Sequence, residues 1–126
     1  MPPVKRSFSS TMRSRKGTVH PAMGPSQIAA TAELFAVLSE GSRLRILQIL
    51  QNEPASVGEL VARLELKQAN VSKQLGILLA AGVVARRQEG NRAIFSIAMP
   101  LVHDLCELVC HGVRQQAIDR AAALGG

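Results

Sequence analysis

Apolar and polar positions along the 126-residue chain repeat with a helical period over most of its length and with a strand period once. From Ser26, the residues Ile28, Ala32, Phe35, Ala36 and Leu38 recur at three- and four-residue spacing until Glu40-Gly41 stops the run, which predicts a first helix. A second starts at about Ser42, a good N-cap, carries Leu44, Leu47 and Leu50 beside Ile46 and Ile49, and ends at Asn52-Glu53-Pro54. The third opens with a capping box, Ser56 and Glu59, and turns Leu60, Val61 and Leu64 inward over about two turns. After Glu65-Leu66-Lys67 a fourth helix is expected over roughly 68–81. Its inner residues are Val71, Leu75, Leu78 and Leu79, its outer ones Gln68, Asn70, Ser72, Lys73 and Gln74, and Gly82 is its glycine stop.

Residues 83–89 and 92–98 read as two strands joined at Gly90-Asn91, a dipeptide suited to a tight hairpin. Pro100 fits the first turn of a last helix over about 100–122, with an apolar stripe of Leu101, Val102, Leu105, Leu108, Val109 and Val113 and a frayed end at Leu124-Gly125-Gly126. The fold class is therefore mainly α with a small β-hairpin, about five helices and a two-stranded wing. There is no internal repeat.

Composition narrows the class. With 47% apolar and 19% charged residues, the chain has the usage of one globular domain and no room for a second. Its net charge of +6 and pI near 10.4 point to a polyanion. The charge is uneven, since residues 1–25 hold Lys5, Arg6, Arg13, Arg15 and Lys16 with no acid, so the remainder is only +1. That segment reads as a disordered basic tail, a transit peptide being the weaker alternative because Pro2 and Pro3 hinder an early helix; residues 26–126 form the domain. Within the domain, residues 67–92 carry +4 and both flanks are slightly acidic. With no Trp or Tyr and three Phe, the chain can hardly build a base-stacking platform, which favours duplex DNA over single strands or RNA. The longest apolar stretch, residues 75–85, is about half the roughly 20 residues of a membrane span, so no membrane partner is expected. Two cysteines and no signal-like segment predict a reducing, cytoplasmic setting.

Two short helices joined by a tight turn, the second polar outside, then a basic hairpin, are the parts of a winged helix-turn-helix. The amides of Gln68, Asn70 and Gln74 can pair with adenine, Ser72 and Lys73 suit guanine or phosphate, and Arg86, Arg87 and Arg92 place charge on the wing. Taken singly, these side chains are also what a solvated helix face and hairpin look like. The residues resemble the ArsR/SmtB family of small bacterial repressors over 34–97. The segment 38–47 (LSEGSRLRIL) resembles its ALSDPTRLRIL, 68–75 (QANVSKQL) its recognition helix QSTVSHHL, and 81–84 (AGVV) its AGLV. The resemblance implies a homodimer through the first and last helices that represses transcription at a pseudo-palindromic operator until an inducer releases it. Lys67 departs from the serine or threonine cap usual before that recognition helix.

The family's known inducer sites have no counterpart here. Its arsenic- and lead-type Cys-Val-Cys is replaced by Ser56-Val57-Gly58, and the cysteine of its dithiol branch by Val61. Its last-helix zinc pattern is broken: Cys106 stands two residues after Asp104, and Ala117 and Arg120 occupy the downstream positions. What remains is His103, Cys106 and Cys110 on one face of the last helix, flanking its apolar stripe. Three readings of the cysteines stand open: packing, binding of Zn(II), Cu(I) or As(III), and thiol oxidation. No cofactor is required by any other feature. A competing class is a winged-helix protein-interaction module, or a regulator with no effector and structural cysteines. His103 and Cys110 as catalytic base and nucleophile lack any oxyanion pocket or cleft, so an enzyme is not expected.

Overall fold

The structure, a computed structural model, describes residues 21–125. Among these residues the elements are α1 (Pro25–Leu38), α2 (Gly41–Leu50), β1 (Ala55–Ser56), α3 (Val57–Leu64), α4 (Gln68–Ala80), β2 (Val84–Glu89), β3 (Arg92–Ile97) and α5 (Pro100–Gly125). The basic tail expected over 1–25 lies outside the described residues up to position 20. The chain divides into two compact units, residues 1–32 and 33–126. In the first, the opening of α1 is held by Gln27, whose Oε1 accepts from Gly24 N at 3.0 Å and whose carbonyl accepts from Thr31 Oγ1 at 2.8 Å.

In the second unit the core is built from α2, α3, α4 and the sheet. Ile46, Leu47, Leu60, Val71, Leu75, Leu78, Val83 and Val102 are its most deeply buried side chains. The sheet has three antiparallel strands in the order β1-β3-β2. The third strand is not visible in the pattern: β1 is two residues long, too short for any period, and exists because Ala55 and Ser56 pair with Phe95 and Ile94. β3 is thereby flanked on both edges, and Ile94 and Phe95 are buried although they face opposite ways.

Local chemistry sets the boundaries. Ser56 and Glu59 form the expected capping box, with Glu59 N donating to Ser56 Oγ at 3.2 Å and Ser56 N to Glu59 Oε1 at 2.8 Å. The second helix, by contrast, begins one residue before the expected Ser42 cap: Glu40 is extended and its carboxylate accepts from Arg43 N at 3.0 Å. α4 ends as expected at Gly82, whose φ of +76° is open to glycine. Gly82 N donates to Leu79 O and Val83 N to Leu78 O, both at 3.0 Å, which is a Schellman closure with its two apolar residues buried. In the hairpin only Gly90 has positive φ, the pattern of a type II′ turn, and Glu89 faces Arg92 across it.

Two expectations about helix faces are corrected. In α1, Leu38 is buried and Leu34 and Val37 are partly buried against the core, whereas Phe35 is 55% exposed. In α5, which stays helical through Gly125 instead of fraying, the core takes Val102 and Cys106, while Leu101, Val109 and Val113 are exposed. Of the expected stripe the core takes Val102 and, partly, Leu105; Cys106 joins them from beside the stripe.

Candidate nucleic-acid interface

α3 and α4 are joined by residues 65–67, and the chain makes this turn with Glu65 in the left-handed region at φ 56°, its N–H donating to Val61 O. α4 then presents Gln68, Ser72 and Lys73 to solvent. Lys67, at its N-cap, provides no side-chain hydrogen bond, so the first-turn N–H groups keep the positive end of the helix dipole uncapped beside a cation. That combination suits phosphate. α4 also packs against β2, which brings the helix and the wing to one region of the molecule.

Gln74 does not share this exposure. It is only 6% exposed, and its Oε1 accepts from Arg43 Nη1 at 2.7 Å while its Nε2 donates to Asn70 Oδ1 at 3.0 Å. The expected outer position of Gln74 is corrected: as residue i+6 from Gln68 it lies well round the helix, toward α2. Asn70 is half-buried, with its acceptor engaged by Gln74. Of the three amides, Gln68 alone keeps both donor and acceptor outside. Arg43, which the pattern did not single out, also donates through Nε to Val37 O at 2.6 Å. Thirty-one residues separate it from Gln74, so no spacing could have revealed the contact.

The wing's three arginines differ. Along β2 alternate residues share a face, so Arg87 and Glu89 lie together, and the Arg87 guanidinium donates to Glu89 Oε2 through Nε at 2.8 Å and through Nη2. Arg92 Nη1 is 3.8 Å from Glu59 Oε2. Glu59 is held below the usual carboxylate range, chiefly by the Ser56 backbone N–H, with Arg92 and Arg63 adding smaller effects. Exposed pairs of this kind are weak because water screens them, so an approaching phosphate can compete for either arginine. Arg86 has no ion pair among the described residues.

The possible inducer residues differ in burial. Cys106 is 9% exposed within the core cluster, and burial, with a smaller effect from Cys110, pushes its thiol above the ordinary value. Burial of this kind disfavours the thiolate, the form that binds a metal or attacks an oxidant. Cys110 is exposed. Among the described residues, the donor atoms close enough to share an ion belong to His103, Asp104 and Glu107, and include neither sulfur. His103, Cys106 and Cys110 stay on one stretch of α5, and a shared site for them would need the same face of a second copy. The family's metal sites also do not fit: Ser56 is consumed by its capping box, and Ala117 and Arg120 are exposed residues without ligand chemistry for that pattern. Beside Cys106 and Cys110 runs an apolar groove of about 500 Å³ between the end of α1, α2 and α5.

Helix, turn, helix and wing define a DNA-binding regulator of the winged helix-turn-helix class. A helix-turn-helix domain family matches residues 38–87. The chain is 42% identical over 94 residues to an HTH-type transcriptional regulator of Mycobacterium tuberculosis, Rv0081, covering 74% of this chain and 82% of that one. It is 34% identical to a probable mercury resistance operon repressor of Streptomyces lividans (75% and 72% covered) and 36% identical to the repressor SmtB of M. tuberculosis (72% and 69%). The crystal structure of Rv0081 superposes with a TM-score of 0.69 over 79% of this chain and 99% of that one, at 38% identity. A homodimeric winged helix-turn-helix domain of Mycobacterium bovis, Mb0332, described as a possible ArsR-family regulator, gives 0.67 over 85% and 91%, at 25% identity. The chain belongs to the ArsR/SmtB family of transcriptional regulators, which are not enzymes. Among the described residues no helix is long and apolar enough to cross a membrane.

Proposed function

We propose that this regulator is a homodimeric repressor that binds duplex operator DNA, with α4 in the major groove and the wing along the flanking backbone. The observation that carries the reading is the surface where α4 packs on β2. It has an uncapped helix start, the exposed side chains of Gln68, Ser72 and Lys73, and Arg86, which has no ion pair among the described residues. Gln68 reads a base edge, while Ser72, Lys73 and Arg86 hold phosphates; Arg87 and Arg92 exchange their carboxylate partners for phosphates on binding. The dimer reading is supported by the homodimeric relative and by the exposed apolar positions Phe35, Val109, Val113 and Ile118. A second copy covers them.

The test is duplex binding by fluorescence anisotropy, with a sequence selected from a random pool. Affinity falls steeply with salt. Arg86→Ala weakens binding evenly across sequences and lowers the salt slope by about one phosphate, while Gln68→Ala relaxes preference at one base pair. No duplex binding at low salt, together with recovery of a stoichiometric acidic protein, overturns the reading in favour of a protein-interaction module. For induction, Cys106 is assigned to packing, and Cys110 is the thiol that an oxidant or soft metal reaches first. Release of the operator by As(III), Cu(I), Zn(II) or peroxide, compared between Cys106→Ser and Cys110→Ser, checks that assignment.

A further inference from the structure

We infer that Arg43 fixes the direction of a three-residue hydrogen-bond chain and thereby turns the Nδ2 donor end of Asn70, and not its oxygen end, toward DNA. The inference rests on the operator-binding reading and adds to it the chemistry of one contact. A guanidinium has N–H groups and no acceptor, so the Gln74 atom 2.7 Å from Arg43 Nη1 has to be the amide oxygen. The orientation of an amide is otherwise ambiguous; here Arg43 decides it. Gln74 then has only Nε2 to offer Asn70 at 3.0 Å, and the Asn70 atom that meets it has to be Oδ1. Asn70 is left with Nδ2. No buried side-chain nitrogen or oxygen among the described residues is unsatisfied, and Nδ2 has no partner there, so its N–H groups open to solvent on α4.

Arg43 itself is held from two further sides. Its Nε donates to Val37 O at 2.6 Å, and its backbone N–H donates to the Glu40 carboxylate at 3.0 Å. The end of α1 and the middle of α4 thus meet on the one guanidinium that α2 supplies, and none of the three alternatives open to a free glutamine or asparagine is left. An amide that turns its donor end outward favours guanine, with acceptors at O6 and N7, over cytosine, whose major-groove edge offers only an N4 donor. It does not make the paired contact to adenine that a free asparagine makes.

Two measurements on the full chain test this. In the free protein, side-chain amide hydrogen exchange followed by NMR shows Gln74 protected about tenfold or more over Asn70; equal protection, or Asn70 the slower, overturns the assignment. In binding, the position whose preference is lost in Asn70→Ala carries G·C over C·G by about tenfold in the wild type. Gln74→Glu still accepts from Arg43 but has no donor for Asn70, so Asn70 turns Nδ2 inward and Oδ1 outward, and the preference moves to C·G. An unchanged preference in Gln74→Glu, with affinity lowered evenly or only the melting temperature shifted, overturns the inference and leaves the chain a structural brace. Failure of the wild type to enrich any duplex overturns the operator reading instead, and the exchange measurement, which needs no DNA, still judges the amide direction. If Gln74→Glu does not fold, the exchange measurement and the G·C preference lost in Asn70→Ala decide it.

Discussion

α4 and α5 both carry an apolar stripe along a helix, yet the chain completes one and leaves the other open. In α4, Val71, Leu75 and Leu78 are buried by α2, α3 and the sheet, and even the polar Gln74 on that side is satisfied internally. In α5 the core takes Val102 and Cys106 and nothing beyond, so that every position from 109 to 125 is exposed, Val113 by 58%. A helix whose inner face is finished can spend its outer face on a polar partner without risk to the fold. One whose apolar face is unfinished calls for another apolar surface, and the groove that α5 forms with α1 and α2 extends that surface. Sequence periodicity reports the stripe in both cases. It does not report who covers it.

Truncation on the finished side is expected to cost the most. Leu75 is 1% exposed, and Leu75→Ala leaves a cavity costing about 2–5 kcal/mol in urea unfolding. If the cost is below about 1 kcal/mol, α4 is not the element the core is built on. Val113→Glu, on the open side, leaves the fold of the single chain nearly unchanged but places two charges in the dimer contact. The expected result is a dimer dissociation constant raised roughly 10- to 100-fold in analytical ultracentrifugation, equivalent to about 1.4–2.8 kcal/mol. Unchanged association means the exposed stripe is not where a second copy docks.

The sequence carried the parts of this molecule whose causes are local. The capping box at Ser56 and Glu59, the stop at Gly82 and the turn at Gly90 each need only neighbours within a few residues, and all three are present as expected. Where the cause is distant, the pattern was silent or misleading. Gln74 reads as an outer residue because its polarity gives no hint of Arg43, 31 residues away, and β1 has no signature apart from its partner strand. In α5 the stripe included Val102 and Leu105, which do pack on the core, but Leu101, Val109 and Val113 look more like core residues than Cys106 does and are nevertheless exposed. The same limit applies to the interface. Lys73, Ser72 and Gln68 were legible as a surface, but which arginines pair among the described residues, Arg87 and Arg92 and not Arg86, depends on Glu89 and Glu59 and had to await the fold.

The smallest effect divides α5 within itself. Cys106 and Cys110 are one turn apart and chemically identical, and sequence offers no reason to treat them differently. The structure does: one sulfur is packed among core residues, the other faces solvent beside the groove. Cys106→Ala removes buried apolar volume of roughly one methylene and costs about 1 kcal/mol, whereas Cys110→Ala stays within about 0.5 kcal/mol at a protein concentration where the single chain unfolds. The chemical counterpart runs the same way. Burial disfavours the Cys106 thiolate, so iodoacetamide at pH 8 modifies Cys110 first and reaches Cys106 only as the native state opens. Equal rates at the two sulfurs would mean that the start of α5 opens readily, and the boundary between its finished and unfinished parts would lie nearer Val102 than Cys106.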